Sequence, residues 1–284
     1  MRTLTVVDAG PQTTVQDRGR PGWAHLGVPR AGALDRPAAE LANRLVGNDP
    51  VAAVLETTLG GVALEVSEAT LLAVTGAECP LSVDDRPVAF AEPVLAPAGA
   101  RLRVGRATRG VRSYVAVAGG VQVPAVLGSR STDTLAHVGP GVLRAGDVLP
   151  LGRPVGSPAG VDHGHARSYP RPAVLRVEPG PRDDWFHAAA LVTLTRSTYA
   201  VSGDSNRVGL RLQGPTLERS RHGELPSEGI VLGAVQVPAS GQPLVFLHDH
   251  PTTGGYPVIG VVDPDDLWQC AQLRPGDEVR FTRR

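Results

Sequence analysis

Glycine and proline interrupt this chain so regularly that hardly any apolar run continues long enough to form a long helix. The 284 residues include 34 Gly and 26 Pro, which end helices and favour turns. Aromatic residues make up only 4% of the chain, so the core must be built from Val, Leu and Ala. We therefore predict a mainly β fold with a few short helices.

Individual segments support this prediction. Short apolar or alternating runs predict strands at residues 1–8, 70–75, 100–104, 113–117, 174–177, 243–247 and 278–282. The best helix candidate is 35–45, where Asp35 can cap the helix and Pro37 suits its first turn. Two further helices are predicted at 182–191 and at 264–271.

The chain is predicted to form two lobes, residues 1–152 and 173–284, joined by a linker at 153–172 that is rich in Pro, Gly, Ser and His. Two short similarities link the lobes: Leu-Arg-Ala-Gly-Asp with Leu-Arg-Pro-Gly-Asp, and Gly-Val-Gln-Val-Pro with Ala-Val-Gln-Val-Pro. They indicate a weak internal repeat. The alternative is that the ordinary composition of turns and strands produces such matches.

All basic residues are arginine, because the sequence contains no lysine. Biased genome composition is one explanation, but the chemical consequence is the same. The chain cannot form a Schiff base on lysine, use a P-loop lysine or carry lysine-linked biotin. Any anion must be held by arginine, backbone N–H groups or hydroxyls.

The remaining composition narrows the class of protein. Acidic and basic residues balance at 28 each, so we expect neither a nucleic-acid partner nor a membrane surface. Cys79 and Cys270 fit no zinc or redox spacing. The first residues read as a strand and not as a signal peptide, so a cytoplasmic location is expected.

The run Gly-Ser-Arg-Ser-Thr-Asp at 128–133 is the strongest candidate for a site, since it combines hydroxyls, a cation and a carboxylate. A solvated turn is the alternative for such a composition. Similar polar blocks occur at 13–20, 27–35, 202–212 and 248–257. Their number favours a polar cleft for an anionic or amide-bearing ligand.

Two other interpretations are weaker. Glu56 is a possible acid or base, but a structural pair with an arginine is favoured for it. His248 and His250 alternate as a strand would place them, which suits a metal; without a third ligand, a solvated pair is favoured. His163 and His165 lie in the predicted linker and carry even less weight.

Six motifs in order give the chain a resemblance to a known family. They are the segments 14–20, 27–35, 42–48, 127–133, 205–209 and 252–257. The chain resembles the family of the 5-oxoprolinase C subunit, also called allophanate hydrolase subunit 2 or KipI antagonist, and is similar to the carboxyltransferase region of urea carboxylase. Val208 and Leu210 depart from the Met and Tyr that are frequent in that family.

The resemblance implies two cyclophilin-like β-barrel lobes. It also implies that the chain is inactive alone and works with two partners, the KipI-like B subunit and the A subunit of 5-oxoprolinase. Together they would cleave 5-oxo-L-proline to L-glutamate with ATP and Mg²⁺, and the resemblance does not say which of the three binds the nucleotide.

On this basis we assign site residues. Catalytic roles are predicted for Arg130, Asp133, Arg207 and Asp17. Substrate binding is predicted for Gln16, Arg20, Asn43, Ser129, Ser131, Thr132, Asn206, Arg211, Thr252, Thr253 and Tyr256. We expect one cleft, with no metal ligated by this chain. Two alternatives are a carboxyltransferase-like subunit that uses biotin on another protein, and a non-enzymatic regulator that sequesters a kinase inhibitor.

Overall fold

The structure is a computed structural model and describes residues 1–158, 168–221, 223 and 225–284. Within these ranges it contains twenty strands, two α-helices and three 3₁₀ helices. The prediction of a mainly β fold with short helices is confirmed. None of the helices in these ranges is long and apolar enough to cross a membrane.

Two compact units make up the chain: residues 1–20 with 31–168, and residues 21–30 with 169–284. The boundary near residue 168 falls inside the segment predicted as a linker. The short segment 21–30 belongs to the second unit, although its sequence position had placed it in the first lobe. His163 and His165 lie outside the described residues.

Eleven strands and one helix form the first unit. The strands are Thr3–Ala9 (β1), Thr13–Gln16 (β2), Val54–Thr58 (β3), Val62–Val66 (β4), Thr70–Glu78 (β5), Leu81–Val83 (β6), Arg86–Val88 (β7), Val94–Ala96 (β8), Arg101–Val104 (β9), Arg109–Val117 (β10) and Val148–Pro150 (β11). One sheet has the order β11-β1-β4-β9-β6-β7, and the other has the order β2-β3-β10-β5-β8. The helix is Arg36–Leu45 (α1).

Alternation along the strands places the core of this unit. Leu4 of β1 and Leu102 of β9 belong to the same buried cluster as Leu55 of β3 and Val115 of β10, so the two sheets share one core. The opposite face of β10 packs under α1, where Tyr114 is fully buried. Because β10 is covered on both faces, nearly all of its residues are buried.

Nine strands and one α-helix belong to the second unit. They are Ala173–Pro179 (β12), Ala188–Arg196 (α2), Thr198–Val201 (β13), Gly209–Gln213 (β14), Glu228–Gly229 (β15), Ala234–Gln236 (β16), Leu244–Phe246 (β17), Thr253–Gly254 (β18), Val258–Val262 (β19) and Glu278–Arg283 (β20). Seven strands close into a barrel in the order β12-β19-β16-β17-β14-β13-β20, and β15 pairs with β18. Closure removes the exposed sheet edges that an open arrangement would leave.

The helix predictions were of unequal accuracy. Asp35 caps α1 by accepting a hydrogen bond from the N–H of Ala38 at 3.1 Å, as predicted. The segment predicted at 264–271 is a 3₁₀ helix, Pro264–Gln272. The helix predicted at 182–191 is wrong in its bounds. The extended and buried residue Phe186 separates a 3₁₀ turn, Asp183–Trp185, from α2.

The two Leu-Arg-x-Gly-Asp segments form the same turn. In the first unit the N–H of Arg144 donates to the Asp147 carboxylate at 2.8 Å. In the second unit the N–H of Arg274 donates to the Asp277 carboxylate at 2.5 Å. The glycine that precedes each aspartate has a positive φ, and a strand follows each turn. The similarity therefore reflects a local structure that these residues specify.

The second pair of similar segments does not share a structure. Residues 234–236 form β16, one of the seven strands of the barrel. Val121, by contrast, makes only an isolated bridge with Leu151. Strand formation at this motif therefore depends on the neighbouring strands and not on the motif alone.

Candidate functional site

The polar run 128–133 begins in a tight hairpin turn. Val126 and Ser129 exchange both backbone hydrogen bonds, at 2.8 and 3.2 Å. The two residues between them, Leu127 and Gly128, have φ values of 52° and 81°. Positive φ at both central positions is the signature of a type I′ turn, whose twist matches that of a hairpin. The turn directs the chain back to β2, where Thr132 donates its N–H to Val15 at 2.9 Å.

Replacing Leu127 in this turn is expected to stabilise the protein. A β-carbon is disfavoured at positive φ, and asparagine tolerates this conformation better than leucine. We expect Leu127→Asn to raise the free energy of unfolding by about 0.5–1 kcal/mol, measured by chemical denaturation. Leu135→Asn replaces another exposed leucine and is the control. An equal change in both variants would contradict a contribution from backbone strain at Leu127.

The carboxylate of Asp17 is the centre of this loop. One of its oxygens accepts from the hydroxyls of Ser129 and Ser131 at 2.6 and 2.7 Å, and from the N–H of Gly19 at 2.8 Å. Its other oxygen accepts from the N–H of Arg130 at 2.6 Å. Both carboxylate oxygens of Asp17 therefore accept hydrogen bonds within this loop. The structure brings together four predicted site residues: Asp17, Ser129, Arg130 and Ser131.

Two buried side chains donate hydrogen bonds to backbone carbonyls of the same loop. The guanidinium of Arg20, 1% exposed, donates to the carbonyls of Val126, at 3.3 Å, and Ser131. Gln16 donates its amide N–H to the carbonyl of Thr132 at 3.0 Å. In the described part of the chain, Gln16 Oε1 and Thr132 Oγ1 are buried and have no hydrogen-bond partner. A ligand or water can still satisfy these two oxygens.

The side chain of Asp133, which is predicted to be catalytic, accepts hydrogen bonds from the turn that follows it. Its Oδ1 accepts from the backbone N–H groups of Leu135 and Ala136 at 2.8 and 2.6 Å, and the residue is 2% exposed. These contacts are those of a structural Asx turn. They occupy Oδ1 of this carboxylate, and the catalytic role of Asp133 stays a prediction.

Arg130 differs from the arginines that carboxylates neutralise. Its half-buried guanidinium donates from Nη2 to the amide oxygen of Gln122 at 2.9 Å. Its Nε is buried without a hydrogen-bond partner. Among the described residues no carboxylate forms an ion pair with it. Arg130 therefore keeps donors and charge that an anion can use.

Asn43 lies near the end of α1, and its described contacts are structural. Its amide nitrogen donates to the carbonyls of Pro50 and Ala52 at 3.2 and 2.8 Å, and its oxygen accepts from Asn48 at 3.0 Å. The side chain is completely buried. Both N–H donors are thus used to connect the helix to the segment that follows it.

Glu56 also has structural contacts, as favoured from the sequence. It accepts from the N–H of Leu34 at 3.0 Å and from the hydroxyl of Tyr114 at 2.9 Å, and it pairs with Arg112 at 3.5 Å. Burial, followed by the negative charge of Glu56, raises the pKa of Tyr114 well above its ordinary value. The tyrosine therefore stays a protonated donor.

In the second unit, Arg207 forms a buried, two-point ion pair. Its Nε and Nη2 each donate to a different oxygen of Asp249 at 2.9 Å, and both side chains are at most 2% exposed. This geometry is typical of strong arginine–carboxylate pairs. Because Asp249 neutralises it, Arg207 is positioned as part of the framework and not as a free anion holder.

The expectation of a solvated histidine pair is wrong. His250 is 6% exposed, and its Nδ1 lies 2.7 Å from the carbonyl of Pro251. His248 has a buried Nδ1 without a hydrogen-bond partner in the described ranges. Burial, and then the charges of Arg207 and Arg30, lower the pKa of His248 to about 3. No group of three potential metal ligands occurs among the described residues.

The other predicted binding residues of this unit lie on or near its surface. Asn206, Arg211, Thr253 and Tyr256 are exposed, and Thr252 is half-buried. Asn206 uses its amide oxygen to accept from the N–H of Val208 at 2.8 Å. The hypothesis that these residues and the Asp17 loop line a single cleft stays a prediction.

The sequence did not identify Arg219, which lies beside Tyr256. Its guanidinium carbon is 5.8 Å from the centre of the Tyr256 ring, and its Nη2 donates to the carbonyl of Val237. Arg219 also lines a cavity. Its segment contains no recognisable motif, so only its position in space distinguishes it from other arginines.

The chain matches known proteins along nearly its whole length. Residues 26–283 match the family model of the carboxyltransferase domain, subdomain A and B. The chain is 40% identical to the 5-oxoprolinase C subunit of Escherichia coli (strain K12), over 99% of this chain and 91% of that protein. It is 33% identical to urea amidolyase of Saccharomyces cerevisiae (strain ATCC 204508 / S288c), over 96% of this chain but 16% of that protein.

A solved structure shows the same fold. The crystal structure of TTHA0988 superimposes with a TM-score of 0.89 at 39% identity, and the match covers 99% of this chain. The chain spans 55% of the TTHA0988 chain. Similarity therefore extends through both units of this chain.

Proposed function

Because the chain belongs to the family of the 5-oxoprolinase C subunit, built on the carboxyltransferase domain, subdomain A and B, we propose that it is one component of an ATP-dependent 5-oxoprolinase. It acts with the A and B subunits, and the complex hydrolyses the lactam of 5-oxo-L-proline to give L-glutamate. The observation that carries this proposal is the 40% identity to a 5-oxoprolinase C subunit over nearly the whole of both chains.

The loop around Asp17 supplies a physical role for this chain. Opening a lactam requires negative charge on the former amide oxygen to be stabilised by fixed donors. Arg130 has such donors, and its backbone is held by Asp17 at 2.6 Å. We assign the guanidinium of Arg130 to substrate or phosphoryl charge, and Asp17, Ser129 and Ser131 to positioning that group.

The described residues are a poor fit for ATP with Mg²⁺ on this chain. Mg²⁺ that accompanies a nucleotide is usually held by one or two carboxylates with phosphate oxygens, and the carboxylates of Asp17 and Asp249 are already occupied by hydrogen bonds. The sequence has no lysine for a P-loop. We therefore assign nucleotide binding to one of the partners and no step of ATP chemistry to these residues.

Replacing Arg130 tests the proposed role. Arg130→Ala in a reconstituted complex of all three subunits is expected to lower 5-oxoproline-dependent turnover roughly 100-fold or more, since a charged donor in the transition state is lost. Arg86→Ala, an exposed arginine on β7, is the control. Normal turnover by Arg130→Ala in an intact complex would remove this residue from the mechanism.

A second candidate is supported by the match to urea amidolyase. In this alternative the chain is a carboxyltransferase-like protein that receives a carboxyl group from biotin on another protein. The absence of lysine requires the biotin to be carried elsewhere. Bicarbonate-dependent carboxylation of an amide with a biotin carboxylase and carrier, without 5-oxoproline turnover, would favour this alternative.

A further inference from the structure

A cavity of about 490 Å³ lies in the second unit, and the described residues of its wall do not include Arg207 or Asp249. Its wall includes Thr216, Glu218, Arg219 and Arg221 together with the apolar surface of Pro238. A volume of several hundred Å³ is typical of sites for small molecules, and charged or polar side chains in the wall can fix the orientation of a ligand.

Arg219 is the unusual member of this wall. It is half-buried, and the described contacts of its guanidinium are the carbonyl of Val237 and the ring of Tyr256. Its Nε–H is buried without a hydrogen-bond partner. No carboxylate in the described part of the chain forms an ion pair with it. A partly buried cation with an unmade hydrogen bond is costly unless an anion completes it.

The neighbouring arginine is in a different state. Arg221 pairs with Asp184 at 2.8 Å, and its side chain is 56% exposed. Glu218 adds a negative charge to the same cavity. Among the described residues of the wall, which also include His187, Arg219 is a guanidinium without an ion pair and Glu218 is an acidic neighbour. This balance favours an anion of one charge over a doubly charged phosphate.

We propose that this cavity binds the carboxylate of a small molecule through Arg219, with the apolar surface of Pro238 beside the body of the ligand. A planar carboxylate matches the N–H donors of a guanidinium, and the guanidinium carbon of Arg219 lies 5.8 Å from the centre of the Tyr256 ring. The site requires only the second unit and stands apart from the role of the Asp17 loop. Only the choice of 5-oxo-L-proline as one probe rests on the proposed function.

Calorimetric titration of the full chain, without ATP or partners, tests this proposal. We expect 5-oxo-L-proline or cyclopentanecarboxylate, which share a carboxylate on a five-membered ring, to bind. We expect 2-pyrrolidinone, which has the lactam but no carboxylate, not to bind. Inorganic phosphate should compete weakly. Binding of cyclopentanecarboxylate alone would support the site and argue against 5-oxoproline as its ligand.

Three variants test whether binding depends on the charged groups of this cavity or only on the net charge of the chain. Arg219→Gln is expected to weaken carboxylate binding roughly tenfold to a hundredfold, the effect of losing charge-assisted hydrogen bonds. Glu218→Gln is expected to strengthen it roughly two- to fivefold, since a like charge is removed. Arg86→Ala removes an exposed arginine of the first unit and should leave binding unchanged.

Several results would overturn the proposal. The proposal is wrong if neither carboxylate binds to the folded chain, or if 2-pyrrolidinone binds as tightly as the carboxylates. It is also wrong if phosphate binds more tightly than the carboxylates, or if Arg219→Gln binds them like the parent. Because Arg219→Gln also loses the contact with Val237, its circular dichroism is compared with that of the parent. If that variant is misfolded, Glu218→Gln decides: unchanged or weaker binding counts against the site. Loss of turnover in the complex would not affect this measurement.

Discussion

Asp249→Ala is expected to lower the free energy of unfolding by about 3–5 kcal/mol, because it leaves the guanidinium of Arg207 buried without its counter-ion. Two hydrogen bonds of 2.9 Å are lost, and both partners are at most 2% exposed. Chemical denaturation of the isolated chain, monitored by circular dichroism, measures the loss. The effect is large because the desolvated charge of Arg207 cannot be rehydrated without opening the structure.

Two variants make the interpretation specific. Glu178→Ala breaks the exposed pair with Arg284, whose distance is also 2.9 Å, and should cost less than about 1 kcal/mol. The double variant Arg207→Met with Asp249→Leu removes both charges and should be more stable than Asp249→Ala. If Asp249→Ala costs no more than Glu178→Ala, the pair is not buried in solution as it is here.

Asp17→Ala is expected to lower the free energy of unfolding by about 2–4 kcal/mol and to abolish turnover of the reconstituted complex. Four hydrogen bonds to one carboxylate are lost, including the one that holds the backbone of Arg130. Hydrogen bonds to charged groups contribute about 1.5–3 kcal/mol each, but the losses overlap because the loop relaxes as a unit. Denaturation and a turnover assay measure the two effects.

Asp17→Asn distinguishes loop geometry from simple loss of charge. Asparagine keeps one acceptor oxygen for the serine hydroxyls, but its NH₂ group faces the N–H of Arg130, so an intermediate loss is expected. Asp8→Ala is the control, since Asp8 accepts a local bond from Gly10 at 2.9 Å and is exposed. Full turnover by Asp17→Ala in an intact complex would show that the Asp17 network does not position the reacting groups.

Much of the fold was predictable because it depends on local chemistry. Asp35 followed by Pro37 predicts the start of α1, and the helix begins there. The Leu-Arg-x-Gly-Asp turns form in both units for the same reason. Helix bounds at 182–191 were not predictable, since the burial of Phe186 in an extended conformation depends on tertiary packing.

The candidate site was only partly predictable. The sequence identified the polar loops, and the structure brings Asp17 together with residues more than 110 positions away, Ser129 and Ser131. Spacing did not reveal that Asn43 uses its amide inside the protein. Such contacts join residues that are distant in sequence, so residue type alone does not distinguish a ligand-binding amide from a structural one.

Residue types and their local order are enough to establish that this protein is mainly β, where α1 begins, and that any anion must be held without lysine. Which arginines keep their charge available depends on the three-dimensional arrangement. Asp249 neutralises Arg207 across 42 positions, whereas Arg130 and Arg219 form no ion pair in the described residues. The reason is physical: turns and caps depend on neighbours along the chain, but the compensation of a buried charge depends on which carboxylate lies beside it in space.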